Sequence, residues 1–214
     1  VAQDRKPEWR VHLPLLPGFE GRELEEDAQG GWAPFLHALE EQVAEADDGS
    51  PWVFYGHGIG GSLLLEWAAR KWSVSDKPAP EPSLVILHSI IGASLEHRFF
   101  PKLMKPLWIR RGMQRLVGWE WLQPIWERKL FLQPEAIEQE FRDRFFAGYR
   151  SCAAFSLFFD LITPEWYRVV RRKTGKTPFY FLWGDRERVI ASRHLKYWQR
   201  DFPVATFEVI PEWD

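Results

Sequence analysis

The residues with the most definite chemical consequence are Gly56-His57-Gly58-Ile59-Gly60-Gly61. They follow a short apolar run, Trp52-Val53-Phe54-Tyr55. They precede a helical pattern over Ser62 to Trp72, in which Leu63, Leu64, Trp67 and Ala68 share one side. Strand, glycine-rich turn and helix is the layout of the G-x-S-x-G turn, which lifts a nucleophile onto a strained backbone at a strand end. Gly56 and Gly60, two before and two after the centre, give the chain room to turn, and His57 completes the turn. The backbone N–H of Ile59, just after the centre, would face a developing oxyanion. The centre itself is Gly58, so the layout lacks its nucleophilic side chain. Two phosphate-binding readings compete. A Walker-type loop needs Lys followed by Ser or Thr after its last glycine, and neither follows Gly61. The dinucleotide spacing G-x-G-x-x-G is met by Gly56, Gly58 and Gly61. The acidic residue expected about 20 positions later falls near Asp76, in a connector rich in Lys and Pro.

A second chemical grouping lies further along. The strand pattern Pro178 to Trp183 opens into Gly184-Asp185-Arg186-Glu187-Arg188. Asp185 and Glu187 are candidate acids, and either also reads as a loop carboxylate paired with Arg186 or Arg188. Of the histidines His12, His37, His57, His88, His97 and His194, His57 belongs to the glycine turn. His88 ends an apolar run, Leu84 to Leu87, and reads as a satisfied strand-end side chain. Cys152 stands alone, which excludes an intramolecular disulfide and fits a reducing, cytoplasmic compartment. It reads as a small core residue at a helix start. No metal-ligand cluster is visible and no cofactor is indicated.

The elements that must position these groups follow from periodicity. Arg10 to Leu16 reads as a strand closed by Pro17-Gly18. Trp32 to Ala46 reads as a helix, with Phe35, Ala38, Leu39 and Val43 near helical spacing. Trp52–Tyr55, Leu84–Leu87, Pro178–Trp183 and Thr206–Ile210 read as short strands buried on both faces, as in a parallel sheet. Between Ala93 and Lys176 no strand pattern occurs. Pro134 is placed to start a helix carrying Ile137, Phe141 and Phe145, and Thr163 to cap another. The expected fold class is therefore α/β, a mostly parallel sheet flanked by helices, with a helical insertion. Residues 1–92 and 177–214 form its core and 93–176 a lid.

Composition bounds the rest. The chain has 214 residues, 45% hydrophobic and 27% charged, enough for one globular domain. Thirteen Trp and sixteen Phe suit either a wide apolar cleft with an aromatic cap or a Trp-rich core. The net charge of −2 gives no global attraction to nucleic acid or membranes. The charge is uneven: Glu20 to Asp48 is acidic and Arg98 to Lys129 basic, runs expected to be solvated helix faces. No segment is long and apolar enough to span a bilayer.

Taken in order, the motifs resemble the lidded branch of the α/β-hydrolase fold family, the esterase- and lipase-like serine hydrolases. Tyr55 to Gly61 is similar to their G-H-S-x-G-G elbow with the serine replaced. Leu13 to Gly21 is similar to their strand and D-L-P-G-x-G-x-S loop, Leu182 to Ile190 to the strand end that carries the triad acid, and Val209 to Asp214 to the approach to the triad histidine. The resemblance implies a Ser-His-acid triad acting on a carboxylic ester through an acyl-enzyme, with Gly58 at the nucleophile position and the chain inactive as written. Its acid spacing favours Glu187, with Asp185 as runner-up. Ile59 would serve the oxyanion hole, and the lid residues Trp108, Trp119, Trp121, Trp126, Phe155, Phe158 and Phe159 would line a site for a small, largely apolar substrate. Epoxide and haloalkane hydrolysis are disfavoured, since such members carry Asp at the position of Gly58. The resemblance also implies that the chain begins after the first oxyanion loop and ends just before the triad histidine, so that the sheet is incomplete at both ends. A non-catalytic binding protein on the same fold is the other reading, with Gly58 as its evidence.

Overall fold

The computed structural model describes residues 9–24, 31–75, 79–97 and 102–213. Helix α1 (Ala33–Ala46) leads into β1 (Val53–His57), α2 (Ile59–Ala69) and β2 (Leu84–His88). Helices α3 (Leu107–Gly118), α4 (Gln123–Leu130), α5 (Gln139–Ser151), α6 (Phe155–Leu161) and α7 (Pro164–Thr174) follow. The described chain closes with β3 (Tyr180–Gly184), α8 (Leu195–Asp201) and β4 (Thr206–Ile210). The strands form one parallel sheet in the order β1-β2-β3-β4. His57 lies opposite His88, and Gly184 opposite Ile210, so the parallel pairing gathers the carboxyl ends of all four strands along one edge. The expected α/β class, a parallel sheet flanked by helices, is the observed one.

The sheet core explains part of the aromatic content. Trp67, Trp183 and Trp198 are fully buried, together with Phe35, Phe179, Phe181 and Phe202. Trp198 packs on Phe181 at 5.2 Å, and Phe54 packs on Trp67 at the same separation. Helix α2 is buried nearly all round, and its Glu66 carboxylate accepts from Arg70 (2.8 Å) and from the indole of Trp166 on α7 (2.9 Å). A carboxylate enclosed in this way needs both donors. The bond to Trp166 ties α2 to α7.

Several expectations are corrected. Arg10 to Leu16 is not a strand: no strand lies beside it among the described residues, and Val11 and Leu13 are 79% and 84% exposed. The side-chain amide of Gln42 on α1 takes the place of a neighbouring strand, accepting from the Leu15 N–H (2.9 Å) and donating to its carbonyl (3.0 Å). The helix expected to run to Trp72 ends at Ala69, because Lys71 and Trp72 turn to positive φ. Pro134 starts only a single 3₁₀ turn, and α5 begins at Gln139. Cys152 caps the end of α5 and is half-buried. Thr163 caps α7, its hydroxyl accepting from the Trp166 N–H at 3.1 Å.

The segment expected as a lid holds helices joined by short turns, with no strand among its described residues, and its last part packs in the core. Tyr167 and Val170 of α7 join the main apolar cluster, as do Phe158 and Ile162. Within the lid, Arg110 departs from the solvated basic face expected of it. It is buried, and its guanidinium donates to the carbonyls of Met104, Lys105 and Ser156 and to both oxygens of Asp160 at 2.5 and 2.6 Å. All five N–H groups of the side chain are thereby used, and α3 is fastened to α6. Phe158, expected at the substrate, packs in the core against Phe35 (4.9 Å), Phe19 and Trp32. Phe158→Ala is therefore expected to lower stability by about 3–5 kcal/mol, the usual cost of removing a buried aromatic ring. Chemical denaturation of the two proteins measures it.

Candidate active site

The site is built from the turn between β1 and α2. Gly58 adopts φ +54° and ψ −115°, a combination that L side chains rarely enter. Its N–H donates to the His88 carbonyl (3.0 Å), which pins the turn to the end of β2, and its carbonyl accepts from the Ser62 N–H. A Cβ built on Gly58 meets nothing within 4 Å, so the turn has room for a side chain and charges it only backbone strain. Crowding lies elsewhere. A Cβ on Gly56 would come within 2.7 Å of Gly60 and Gly61 backbone atoms, and one on Gly61 within 2.2 Å of Ile90. The close crossing of strand and helix thus rests on Gly56 and Gly61. Gly60, expected as a support, faces open space. Ile59 is the first residue of α2, so its N–H has no acceptor within the helix and is available at the strand end.

The acid loop follows β3. Both backbone bonds of Glu187 fall on one oxygen: Oε1 accepts from the N–H groups of Val189 (2.7 Å) and Ile190 (3.1 Å). The loop is thus capped by Glu187, whose extra methylene lets the carboxylate curl back over its own loop. Asp185 is exposed and contributes its backbone N–H to the Ile210 carbonyl (3.1 Å). The arginine pairings weighed for these acids do not occur. Arg186 pairs with Glu212 (2.6 Å), and Arg188 donates to the Arg128 carbonyl at the end of α4 (2.5 Å). The Arg186 N–H also holds the Trp213 carbonyl (2.9 Å), so the acid loop is bound to the chain leaving β4. Asp214 lies outside the described residues, as does Asp76.

Between turn and acid loop sit groups that sequence reasoning undervalued. His88 is buried, stacks on Trp213 (5.0 Å, 6°) and lies 4.7 Å from the His57 ring. Its Nδ1 meets the Tyr55 hydroxyl at 2.5 Å. Burial raises the Tyr55 pKa, so the phenol keeps its proton and donates it. The imidazole then carries its own hydrogen on Nε2, which is buried without a partner, as is the Ser89 hydroxyl beside it. Desolvation, aided by the charge of His57 and opposed by Glu187, pushes the His88 pKa down to about 4. Desolvation also lowers that of His57, again against the attraction of Glu187. The Glu187 charge thus acts on both rings. The only sequence signal for His88 was its position at a strand end.

The lid residues expected at the substrate are dispersed. Trp108 and Trp121 are 75% and 71% exposed, and Trp119, stacked on Trp121 at 5.8 Å, is 48% exposed. Phe155 and Phe159 are half-buried, in a row of rings running Phe131–Phe145–Tyr149–Phe155–Phe159. Trp126 donates its indole N–H to the Leu116 carbonyl. Burial raises the Cys152 thiol pKa, which suits a packing role rather than a nucleophile. Among the described residues no cluster of His, Cys, Asp or Glu is placed to hold a metal, and no helix is long and apolar enough to cross a membrane.

The sequence profile of the alpha/beta hydrolase family matches residues 1–214. The chain belongs to that family. Solved structures with the same fold include a candidate lipase from Acinetobacter baumannii AYE, 19% identical with a TM-score of 0.63, over 92% of this chain and 64% of that one. MenH from S. aureus is 17% identical with a TM-score of 0.62, over 92% of this chain and 72% of its own. A thermophilic esterase from Thermogutta terrifontis is 15% identical with a TM-score of 0.60, over 92% and 69%. The hydrolase chain thus spans just under two thirds of the length of the Acinetobacter protein, and at these identities the likeness is one of fold. Among proteins of curated function none matches it in sequence.

The neutral His88 makes a prediction. Between pH 6.5, the ordinary histidine value, and about 4, an unfolded His88 takes up a proton and the folded one does not. Acidification through this window therefore favours unfolding. His88→Phe is expected to flatten the loss of stability between pH 6.5 and 4, read by denaturant titration at each pH. The NMR signals of His88 should show no protonation above about pH 5.

Proposed function

We propose that this hydrolase-fold chain carries the site of a carboxylic ester hydrolase for a small, largely apolar substrate, with its nucleophile absent at Gly58. The observation that supports it is the turn itself. Gly58 sits at the centre of a strand-to-helix turn in a conformation that glycine enters freely and an L side chain enters only under strain, at a point where a Cβ meets open space, as the nucleophile position of such a turn requires. In the working site a hydroxyl at this position attacks the ester carbonyl and passes its proton to an imidazole. The carbonyl oxygen, now negative, is held by the Ile59 N–H. Collapse of the intermediate expels the alcohol, which takes the proton, and water then hydrolyses the acyl group. Because the acid loop is tied to the chain leaving β4, an imidazole carried by residues after Trp213 would lie beside Glu187. With Oε1 occupied by its own loop, Oε2 remains to orient that ring. The apolar substrate is inferred from the half-buried lid rings Phe155 and Phe159 rather than from the exposed Trp108, Trp119 and Trp121, and a cytoplasmic setting from the lone Cys152.

As written, the chain is read as inactive, and Gly58 also favours a second reading, a binding protein that keeps the pocket without the chemistry. The two differ in one experiment. In the longest natural form of the protein, Gly58→Ser is expected to hydrolyse a short activated aryl ester while the Gly58 form shows almost no turnover. Equal rates would assign the chemistry to another group, and no turnover in either would favour the binder.

Glu187 and Asp185 are separated in the same background. With Gly58→Ser in place, Glu187→Gln is expected to lower kcat by about 10⁴, the loss seen when a triad carboxylate can no longer fix the imidazole tautomer. Asp185→Asn should leave kcat within a few-fold. A reversal of these two results would transfer the acid role to Asp185.

A further inference from the structure

The tryptophans of the lid form a surface that the ester chemistry does not use. On α3, Trp108, Arg111 and Arg115 follow at helical spacing along one exposed face, and Trp119 continues it to stack on Trp121. Exposed Leu103, Leu107 and Ile125 flank them. Beside this stripe a groove of about 420 Å³ is lined by Arg111, Gln114, Arg115, Gly118, Trp119 and Arg150. No carboxylate among the described residues pairs with Arg111, Arg115 or Arg150; Arg150 only donates to the Gly118 carbonyl. Between Lys102 and Trp126 the sequence holds Lys102, Lys105, Arg110, Arg111 and Arg115 against the single acid Glu120, in a chain of net charge −2. Arg110 is committed to Asp160, which leaves the other cations directed at solvent.

We propose that this outer face of the lid docks on an anionic lipid surface. Exposed indoles beside guanidinium groups that no carboxylate neutralises match the boundary between headgroups and acyl chains, where Trp rings sit and Lys or Arg side chains meet lipid phosphates. A bilayer supplies both halves of that complement at once. A soluble anion would satisfy the arginine groove and leave Trp108 and Trp121 in water. A second copy meeting this face with its own equivalent face would present like charge to it, and one meeting it with the acidic Glu20 to Asp48 stretch would supply no apolar layer for the indoles. Helix α3 lies along the interface in this arrangement and does not cross it. The proposal is independent of the ester-hydrolase reading, because docking needs only the lid surface.

The test uses the full chain with extruded vesicles of phosphatidylcholine alone, or of phosphatidylcholine with phosphatidylglycerol. Cosedimentation should occur with the anionic vesicles and be slight with the neutral ones. It should be released by high salt, with a blue shift of tryptophan emission on binding. Replacing both arginines (Arg111→Gln with Arg115→Gln) should weaken binding roughly thirtyfold, from the attraction each cation supplies near such a surface. Trp108→Ser with Trp121→Ser should abolish the blue shift, and Lys173→Gln on α7 should change neither. These positions are exposed, so far-UV circular dichroism should match the parent, and the salt arm needs no variant at all. Equal binding to both vesicles, no binding to either, or binding that survives the arginine replacements would overturn the proposal. So would saturation by inorganic phosphate without vesicle binding, or a dimer in which this face is covered.

Discussion

The approach of β1 to α2 is the constraint on which the rest of the site depends. The strand can turn directly into the helix only because Gly56 and Gly61 let their backbones meet, and only if Gly58 takes a positive φ. Once the turn is made, the Gly58 N–H reaches the end of β2 and the Ile59 N–H is left without an internal acceptor. Parallel pairing then brings the ends of β3 and β4 to the same edge. A looser turn would move the oxyanion donor and the nucleophile position together, because both are fixed by the same few backbone torsions.

Around that turn the protein concentrates polar groups in a desolvated place. The Tyr55 phenol fixes one nitrogen of His88, Trp213 covers its face, and burial keeps the ring neutral. An unpaired buried N–H and an unpaired buried hydroxyl, at His88 and Ser89, are expensive features that ordinary packing avoids. Glu187, held by its own loop, is the nearby charge that opposes this desolvation.

The lid is organised by a different principle. Arg110 gives three of its donors to Ser156 and Asp160 on α6 and two to the carbonyls of Met104 and Lys105 just before α3, and a row of aromatic rings ends at Phe159 beside it. This inner satisfaction frees the opposite face of α3 to carry tryptophans and arginines that no neighbour requires. Arg188 of the acid loop donates to the carbonyls of Arg128 and Phe131, which ties the end of α4 to the loop after β3.

The sequence by itself determined the positions of the four strands, the glycine turn with its empty centre, the Thr163 cap and the family, but not the burial of β4, expected on both faces and largely exposed, with Val209 43% accessible. These depend on local backbone rules and on short apolar runs that leave little choice of environment. It did not determine which glycine bears the close contact, because that depends on Ile90, distant in sequence. Nor could it show that Arg110 is buried while Arg111 beside it is exposed, or that Phe158 serves the core while Trp108 faces water. Residue type sets what a side chain costs to bury, but the packing of α1, α6 and α7 decides which ones are covered. Arg10 to Leu16 shows the same limit: an extended, apolar segment becomes a strand only when another strand lies beside it, and here a glutamine side chain occupies that place.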